Sequence, residues 1–252
     1  MLLAYVEDRA RGYTCHFGPI RIMTASMTTY AATGVTNLES MAAARRYNAF
    51  LLDQLACLPS AGRVLDVGAG TGTFAAALVQ QGYDVCCIEP DPVLAQRLQA
   101  KGLLVAASLE ALPEKTAYGA YSFNVLEHVN DDVGLLKQLH AVLHRGSPLV
   151  LYVPAFPSLY SEMDRQVGHV RRYLKQDLKE KVEAAGFKLV ALRYCDVLGY
   201  PAALVYKWLG GSGALTESAV ARYDRWIFPV SRQLDRWTET FLGKNLLLIG
   251  TA

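Results

Sequence analysis

From Arg63 onward, short apolar runs alternate with longer stretches in which apolar positions recur every three or four residues, a rhythm that predicts strands separated by helices. Arg63–Val67, Asp84–Glu89, Leu103–Ala107, Ala120–Val125, Leu149–Pro154, Lys188–Tyr194 and Asn245–Thr251 are the predicted strands. Helices are predicted over Phe74–Gln81, Pro92–Ala100, Val133–Leu143 and Lys175–Ala185, with a short turn near Leu109–Leu112. Gly186 follows the last of these, where a helix C-terminus favours glycine. This order implies a doubly wound α/β domain on a seven-stranded, mainly parallel sheet. Ahead of the first strand, Leu38–Leu58 reads as one long helix entered from Thr36 and Asn37. Residues 1–37 show no clear period and are assigned to an N-terminal extension of a single domain over 38–252, with Met27 as an alternative start.

The rhythm breaks between the sixth and last strands, where Asp196–Lys244 adds nearly fifty residues to what could be a short connection. Val220, Tyr223, Ile227, Val230, Leu234, Trp237 and Phe241 recur at steps of three and four, so they share one helical stripe. Arg222, Arg225, Arg232 and Arg236 lie about 160° away at ~100° per residue. The plain expectation is a helical lid over 197–244 whose stripe packs on the core and whose arginines face solvent. The alternative is a surface through 199–241 that meets a membrane or a lipid-like molecule. Pro229 should kink or interrupt any single rod.

The chain of 252 residues is 52% hydrophobic and 19% charged with a net charge of +2, which gives no basic excess for a nucleic-acid partner. No apolar run reaches the ~20 residues that span a bilayer, and the first residues lack the pattern of a signal peptide. Five cysteines, Cys15, Cys57, Cys86, Cys87 and Cys195, show no CxxC spacing and fit a reducing cytoplasm, with peripheral membrane contact left open. Oligomeric state is not legible.

One stretch calls for a ligand. In "RVLDVGAGTGTFAAAL", Gly68, Gly70 and Gly72 alternate between the first strand and a helix, where a polar or anionic ligand could meet backbone N–H groups and the helix N-terminus. A dinucleotide site favours GxGxxG, but Thr73 stands where its third glycine belongs, and a phosphate-binding loop needs a lysine this stretch lacks. Glu89 ends the second strand 17 residues beyond Gly72, where a carboxylate can accept both hydroxyls of a ribose. A nucleoside cofactor without a diphosphate satisfies both features. The alternative for Glu89 is a cap on the helix that begins near Pro92.

With "LDVGAGTG", "CIEPD", "YSFNVLEHVNDD" and "VPAFPSLYSEMDRQVGHVRRY", the chain from Leu38 to Ala252 resembles the class I S-adenosylmethionine-dependent methyltransferases, the later stretches being similar to enzymes of ubiquinone biosynthesis. The resemblance implies a Rossmann-like methyltransferase fold, S-adenosyl-L-methionine as cofactor and S-adenosyl-L-homocysteine as product. It also implies that Asp66, Gly68, Gly70 and Gly72 surround the methionine part, that Glu89 binds the ribose, and that Ser108 and Leu109 lie beside the adenine. Asn124, at the end of the fourth strand, is assigned to the same cofactor site. Relatives often carry Asp where Ser108 stands, so that contact would be shorter and uncharged here.

Methyl transfer from a sulfonium needs alignment, exclusion of water and, for a hydroxyl acceptor, removal of one proton. His169, in "GHVRRY" after the fifth strand, is the preferred base, as a movable loop histidine over the cavity. His128, at the carboxyl end of the fourth strand, is either the alternative base or a brace for the floor. Arg171 and Arg172 could orient an anionic substrate, with Tyr160, Asp164 and Tyr173 as further substrate contacts, against the bland reading that the arginines are solvated and Tyr173 is core. In the ubiquinone-type enzymes an E-x-x-E-H pattern is associated with a divalent metal; Asn124 replaces its first carboxylate, Glu127 and His128 alone make a weak site, and no metal is expected. The resulting expectation is O-methylation of a small-molecule or lipid-like acceptor. N- or C-methylation, an NAD-dependent oxidoreductase and a non-catalytic cofactor-binding protein stand as alternatives.

Overall fold

A computed structural model describes residues 39–208 and 216–252, so the N-terminal extension, its alternative start and the helix entry at Thr36 and Asn37 lie outside the described residues. The apolar runs form strands β1 (Arg63–Val67), β2 (Asp84–Ile88), β3 (Leu104–Ala106), β4 (Gly119–Phe123), β5 (Pro148–Pro154), β6 (Lys188–Cys195) and β7 (Asn245–Thr251). The helices are α1 (Arg45–Asp53), α2 (Thr73–Gln80), α3 (Pro92–Ala100), α4 (Asp132–Val142), α5 (Glu162–Gln166), α6 (Lys175–Ala184), α7 (Gly199–Trp208), α8 (Glu217–Arg222) and α9 (Phe228–Thr238). Each predicted strand end falls within two residues of the observed one.

The strands lie in the order β3-β2-β1-β4-β5-β7-β6. β1 to β5 pair in parallel, whereas β7 runs antiparallel between β5 and β6. Alternation along each strand sends side chains to two cores. Leu65, Val67, Cys86 and Ile88 pack with Leu136 and Leu139 of α4 and with Val182 of α6. Val64, Val85, Cys87 and Tyr121 pack with Phe50 and Leu51 of α1 and with Ala75 and Leu78 of α2. The chain turns in opposite directions on the two sides of the β1–β4 seam, so the carboxyl ends of these two strands flank the crevice where such sheets hold ligands.

Two expectations fail for one reason. The helix over Leu38–Leu58 is broken: turns occupy Ala42 and Ala43, α1 begins at Arg45, and residues 54–57 tighten to a 3-10 turn. The start of α1 is capped from far along the chain, since the buried Asp224 carboxylate accepts from the N–H groups of Arg46 (3.0 Å) and Tyr47 (2.8 Å). The apolar stripe of the insertion, in turn, packs inward only at its start, where Val220 is buried and Tyr223 lies against the core. Asp224, Phe228, Ser231 and Asp235 face inward, while Ile227, Val230, Leu234, Trp237 and Phe241 are exposed. Asp235 accepts from the N–H groups of Asp196 (3.0 Å) and Val197 (2.9 Å), and Ser231 Oγ accepts from Leu198 N–H (3.0 Å) while donating to Asp196 (2.9 Å). These buried acceptors fix which side of α9 faces in.

The four arginines separate for the same reason. Arg232 turns inward to Asp235 (3.0 Å) and lies 3.8 Å from the Phe50 ring centre, while Arg222, Arg225 and Arg236 remain exposed. Pro229 falls in the first turn of α9, where its missing N–H is tolerated, and a π-helical turn at Tyr223–Ile227 precedes it. No helix among the described residues is long and apolar enough to cross a membrane.

Candidate active site

The β1–α2 loop crosses the crevice with Gly68 and Gly72 at φ of 76° and 79°. A Cβ at Gly68 would collide with Val125 and one at Gly72 with Leu98, so positive φ and close packing both require glycine there. The glycine N–H groups are not the donors expected from the motif. Gly68 N–H goes to Ile88 O (2.8 Å), Gly72 N–H to Ala69 O (2.8 Å) and Gly70 N–H to Glu89 Oε2 (2.7 Å). The glycines therefore shape the crevice, which suits a cofactor without a diphosphate.

Asp91, not Glu89, caps α3, accepting from Val93 (2.8 Å) and Leu94 (3.0 Å). Glu89 is sealed behind the loop, holding Gly70 N–H and Asp91 N–H (3.0 Å), and burial raises its pKa from the ordinary carboxylate value. Glu89→Ala should weaken S-adenosylhomocysteine binding by about 2 kcal/mol, roughly 30-fold, through loss of the carboxylate that ties the loop down at Gly70 and Asp91. Isothermal calorimetry reads this directly, and an unchanged Kd would remove Glu89 from the cofactor site. Ser108 opens a 3-10 turn after β3, and Leu109 is buried in the core, so only the backbone of Leu109 is left to meet an adenine.

Asp66, Gly68 and Gly70 line a cleft of about 500 Å³, together with Phe123 and Asn124 from the end of β4 and with His128, Asp164, His169 and Arg172. Tyr47, Asp196, Tyr223, Lys244 and Asn245 complete the wall, and the sequence reading missed all five. Lys244 and Asn245 reach this edge because β7 runs antiparallel, which no local signal announces. A second depression beside Arg45, Arg46, Glu217 and Arg225 contains none of the glycine loop, so the chemistry belongs to the cleft that the loop lines. Asp66 is the cavity's orphan. Its Oδ2 is buried without a hydrogen bond, and burial, with Glu89 nearby, pushes its pKa up to about 7.

The segment after β5 is pinned rather than movable. Tyr160 donates its hydroxyl to His169 O (2.6 Å), His169 N–H bonds Asp164 O (2.8 Å), and Val170 N–H bonds Glu127 O (2.8 Å). His169 Nδ1 is 2.7 Å from Asp164 Oδ1, and Arg172 grips the same carboxylate with Nε (2.9 Å) and Nη2 (3.0 Å). Burial alone would raise the Asp164 pKa, but His169 and Arg172 hold it well below the usual carboxylate range. Asp164 and Arg172 are thus engaged with each other, which leaves Asp164 as a support for His169 more than a substrate contact.

Two other expected substrate contacts are corrected outright. Tyr173 is sealed in the core, donating to Leu126 O (3.1 Å) and Asp132 (2.9 Å), and Arg171 pairs with the same Asp132 (2.6 Å) outside the cavity. Tyr160 likewise spends its hydroxyl on the loop.

Glu127 lies behind the two histidines, 0% exposed, with neither carboxylate oxygen hydrogen-bonded and Oε1 3.7 Å from His169 Nε2. Burial pushes its pKa up to about 7, against the pull of His169 and Arg172. An acid raised in the folded state contributes stability below its unfolded value, near 4.5, and loses it as pH rises through about 7. Glu127→Gln, neutral throughout, should therefore stabilise the protein by about 3 kcal/mol at pH 8 and hardly at all near pH 4.5. Urea unfolding at the two pH values checks this, and equal differences at both would mean that Glu127 is not ionised when buried. His128 is driven the other way. Burial, then His169, lowers its pKa to about 4, and its ring meets that of His169 edge to face at 4.7 Å. Glu127, His128 and His169 offer three ligand atoms within 4.8 Å of one another, a cluster the adjacent pair in the sequence did not reveal.

A sheet of this order, with a glycine loop after β1 and a buried acid at the end of β2, defines a Rossmann-like S-adenosylmethionine-dependent methyltransferase. The chain belongs to the methyltransferase-domain family, which it matches over residues 40–192. It is similar to an uncharacterized methyltransferase of Mycolicibacterium gilvum (strain PYR-GCK), at 28% identity over 200 residues and 74% of each chain. A second such protein, from Mycobacterium sp. (strain JLS), is 29% identical over 180 residues, 67% of this chain and 68% of the other. In fold it is similar to a SAM-dependent methyltransferase from Archaeoglobus fulgidus, with TM-score 0.59, 20% identity and coverage of 86% of this chain and 99% of that one. Haemonchus contortus phosphoethanolamine N-methyltransferase 2, solved with S-adenosyl-L-methionine, gives TM-score 0.55 at 15% identity over 81% and 52%. The protein is an enzyme and its cofactor is S-adenosylmethionine. The residues fit that cofactor: Asp66 keeps a buried acceptor without a partner, and it lines the cavity together with Gly68 and Gly70 of the loop. The dinucleotide and non-catalytic alternatives fall.

Proposed function

We propose that the protein O-methylates an apolar small molecule or lipid-like acceptor, with His169 as general base. The observation that carries this reading is the 2.7 Å bond from His169 Nδ1 to Asp164 on the cavity wall. With Nδ1–H held by a carboxylate, Nε2, which Glu127 Oε1 approaches to 3.7 Å, is the nitrogen that would accept the proton of an approaching hydroxyl, and Asp164 supports the imidazolium that results. The arrangement of Arg172 favours this role, because it keeps Asp164 ionised and fixed. His128, held neutral with a pKa near 4, is too weak a base to compete. Bound S-adenosylmethionine supplies an electrophilic methyl on a sulfonium; alignment and exclusion of water are left to Phe123, Tyr47 and their neighbours, which make most of the wall apolar.

The resemblance to ubiquinone-biosynthesis enzymes favours a phenolic, membrane-derived acceptor over a charged one, as does the loss of Arg171 and Arg172 as free cations. The test incubates methyl-labelled S-adenosylmethionine with hydroxylated aromatic and isoprenoid compounds and locates the label by mass spectrometry. Label on oxygen is expected. Label on nitrogen or carbon, or activity abolished by a chelator and restored by zinc, would replace the reading, the latter in favour of a metal at Glu127, His128 and His169.

A further inference from the structure

All three tryptophans of the chain, Trp208, Trp226 and Trp237, lie on the insertion and are exposed, at 85%, 66% and 81%. Ile227, Val230, Leu234 and Phe241 surround the latter two with further exposed apolar area. At ~100° per residue, Val230, Leu234 and Trp237 lie on the side of α9 away from Phe228, Ser231 and Asp235. The insertion is therefore an amphipathic element turned outward, and rotation cannot relieve it. Asp224, Ser231 and Asp235 hold buried N–H groups of Arg46, Tyr47, Asp196, Val197 and Leu198, which would lose their acceptors if the apolar side turned in.

We propose that this face is a membrane-docking surface that seats α8 and α9 in the headgroup layer of an anionic bilayer. Tryptophan, with an apolar body and one N–H donor, is the side chain best suited to the boundary between headgroup and acyl chain. Exposed Arg222, Arg225 and Arg236 supply the positive charge that an anionic surface attracts, and Arg225 stands over the Trp226 ring at 5.0 Å. That charge argues against a second copy of the chain as occupant, since a two-fold contact would bring the same arginines together. On their inner side the same helices contribute Val220, Tyr223 and Phe228 to the cavity wall, so docking sets the site beside the lipid phase. The docking itself stands apart from the choice of acceptor.

The experiment mixes the whole protein with vesicles of phosphatidylcholine alone or with phosphatidylglycerol, and reads sedimentation together with tryptophan emission. In a Trp208→Phe background, which removes the tryptophan at the end of α7, the emission reports on Trp226 and Trp237 of that face alone. Phosphatidylglycerol vesicles should pellet the protein, shift its emission to shorter wavelength and release it at high salt. Leu234→Ser with Trp237→Ser should lower partitioning at least about tenfold while S-adenosylhomocysteine binding persists. Replacing Arg222, Arg225 and Arg236 by Gln should remove the preference for phosphatidylglycerol. No pelleting and no emission shift at low salt would overturn the proposal, as would equal partitioning of the serine variant. A dimer that Trp237→Ser dissociates would reassign the face to contact between copies of the chain.

Discussion

His169→Ala should lower turnover by roughly 10²–10⁴-fold and leave S-adenosylhomocysteine affinity nearly unchanged, because a positioned base contributes to proton removal and not to cofactor binding. Asp164→Asn separates a base from a structural histidine. The variant loses the charge that supports the imidazolium and alters the bond that sets the tautomer, so kcat should fall steeply while KM moves little. His128→Ala is expected to cost far less. If His169→Ala keeps near-normal turnover, proximity and desolvation supply the catalysis, and an acceptor already nucleophilic at neutral pH becomes the better assignment.

Asp235→Ala should destabilise the fold by about 3 kcal/mol or more, a large loss for a solvent-side helix. Its carboxylate satisfies Asp196 N–H and Val197 N–H and pairs with Arg232, and it is almost fully buried, so truncation strands two buried donors and one guanidinium. Asp196, at φ of 61°, depends on the same support. A fall in the urea midpoint at constant m-value is the readout, with Asp235→Asn retaining part of the stability through its one remaining acceptor. A change below ~0.5 kcal/mol would mean that the exposed apolar face of α9 is set by something other than these polar ties. Glu127→Gln offers the opposite sign at high pH, so the cavity and the insertion hold buried acids for different ends. Glu127 has no hydrogen bond to lose, whereas Asp235 has three.

The helices that follow β1, β2 and β4 and the one before β6 were legible to within about one residue at each end because local chemistry sets them. Asp91 followed by Pro92 starts α3, and the alternation of core and surface positions fixes each strand to within two residues. The β1–α2 loop was legible because backbone φ and close packing restrict Gly68 and Gly72 to glycine. Sequence alone therefore determined the α/β class and the cofactor.

The geometry around His169 and the facing of the insertion were decided only in three dimensions. Asp164 and His169 look like unrelated polar residues until the segment after β5 folds back and Arg172 clamps the acid. Lys244 and Asn245 join the cavity only because β7 enters the sheet antiparallel. The stripe from Val220 to Phe241 has the period of a core-facing helix, and periodicity records that a face is apolar without recording what it meets. Buried N–H groups at Arg46, Tyr47, Asp196 and Val197 need acceptors, and Asp224 and Asp235 answer them from distant positions in the chain. An unpaired buried donor is costlier than an exposed leucine, so the polar side turns in and the apolar side is left to solvent or membrane.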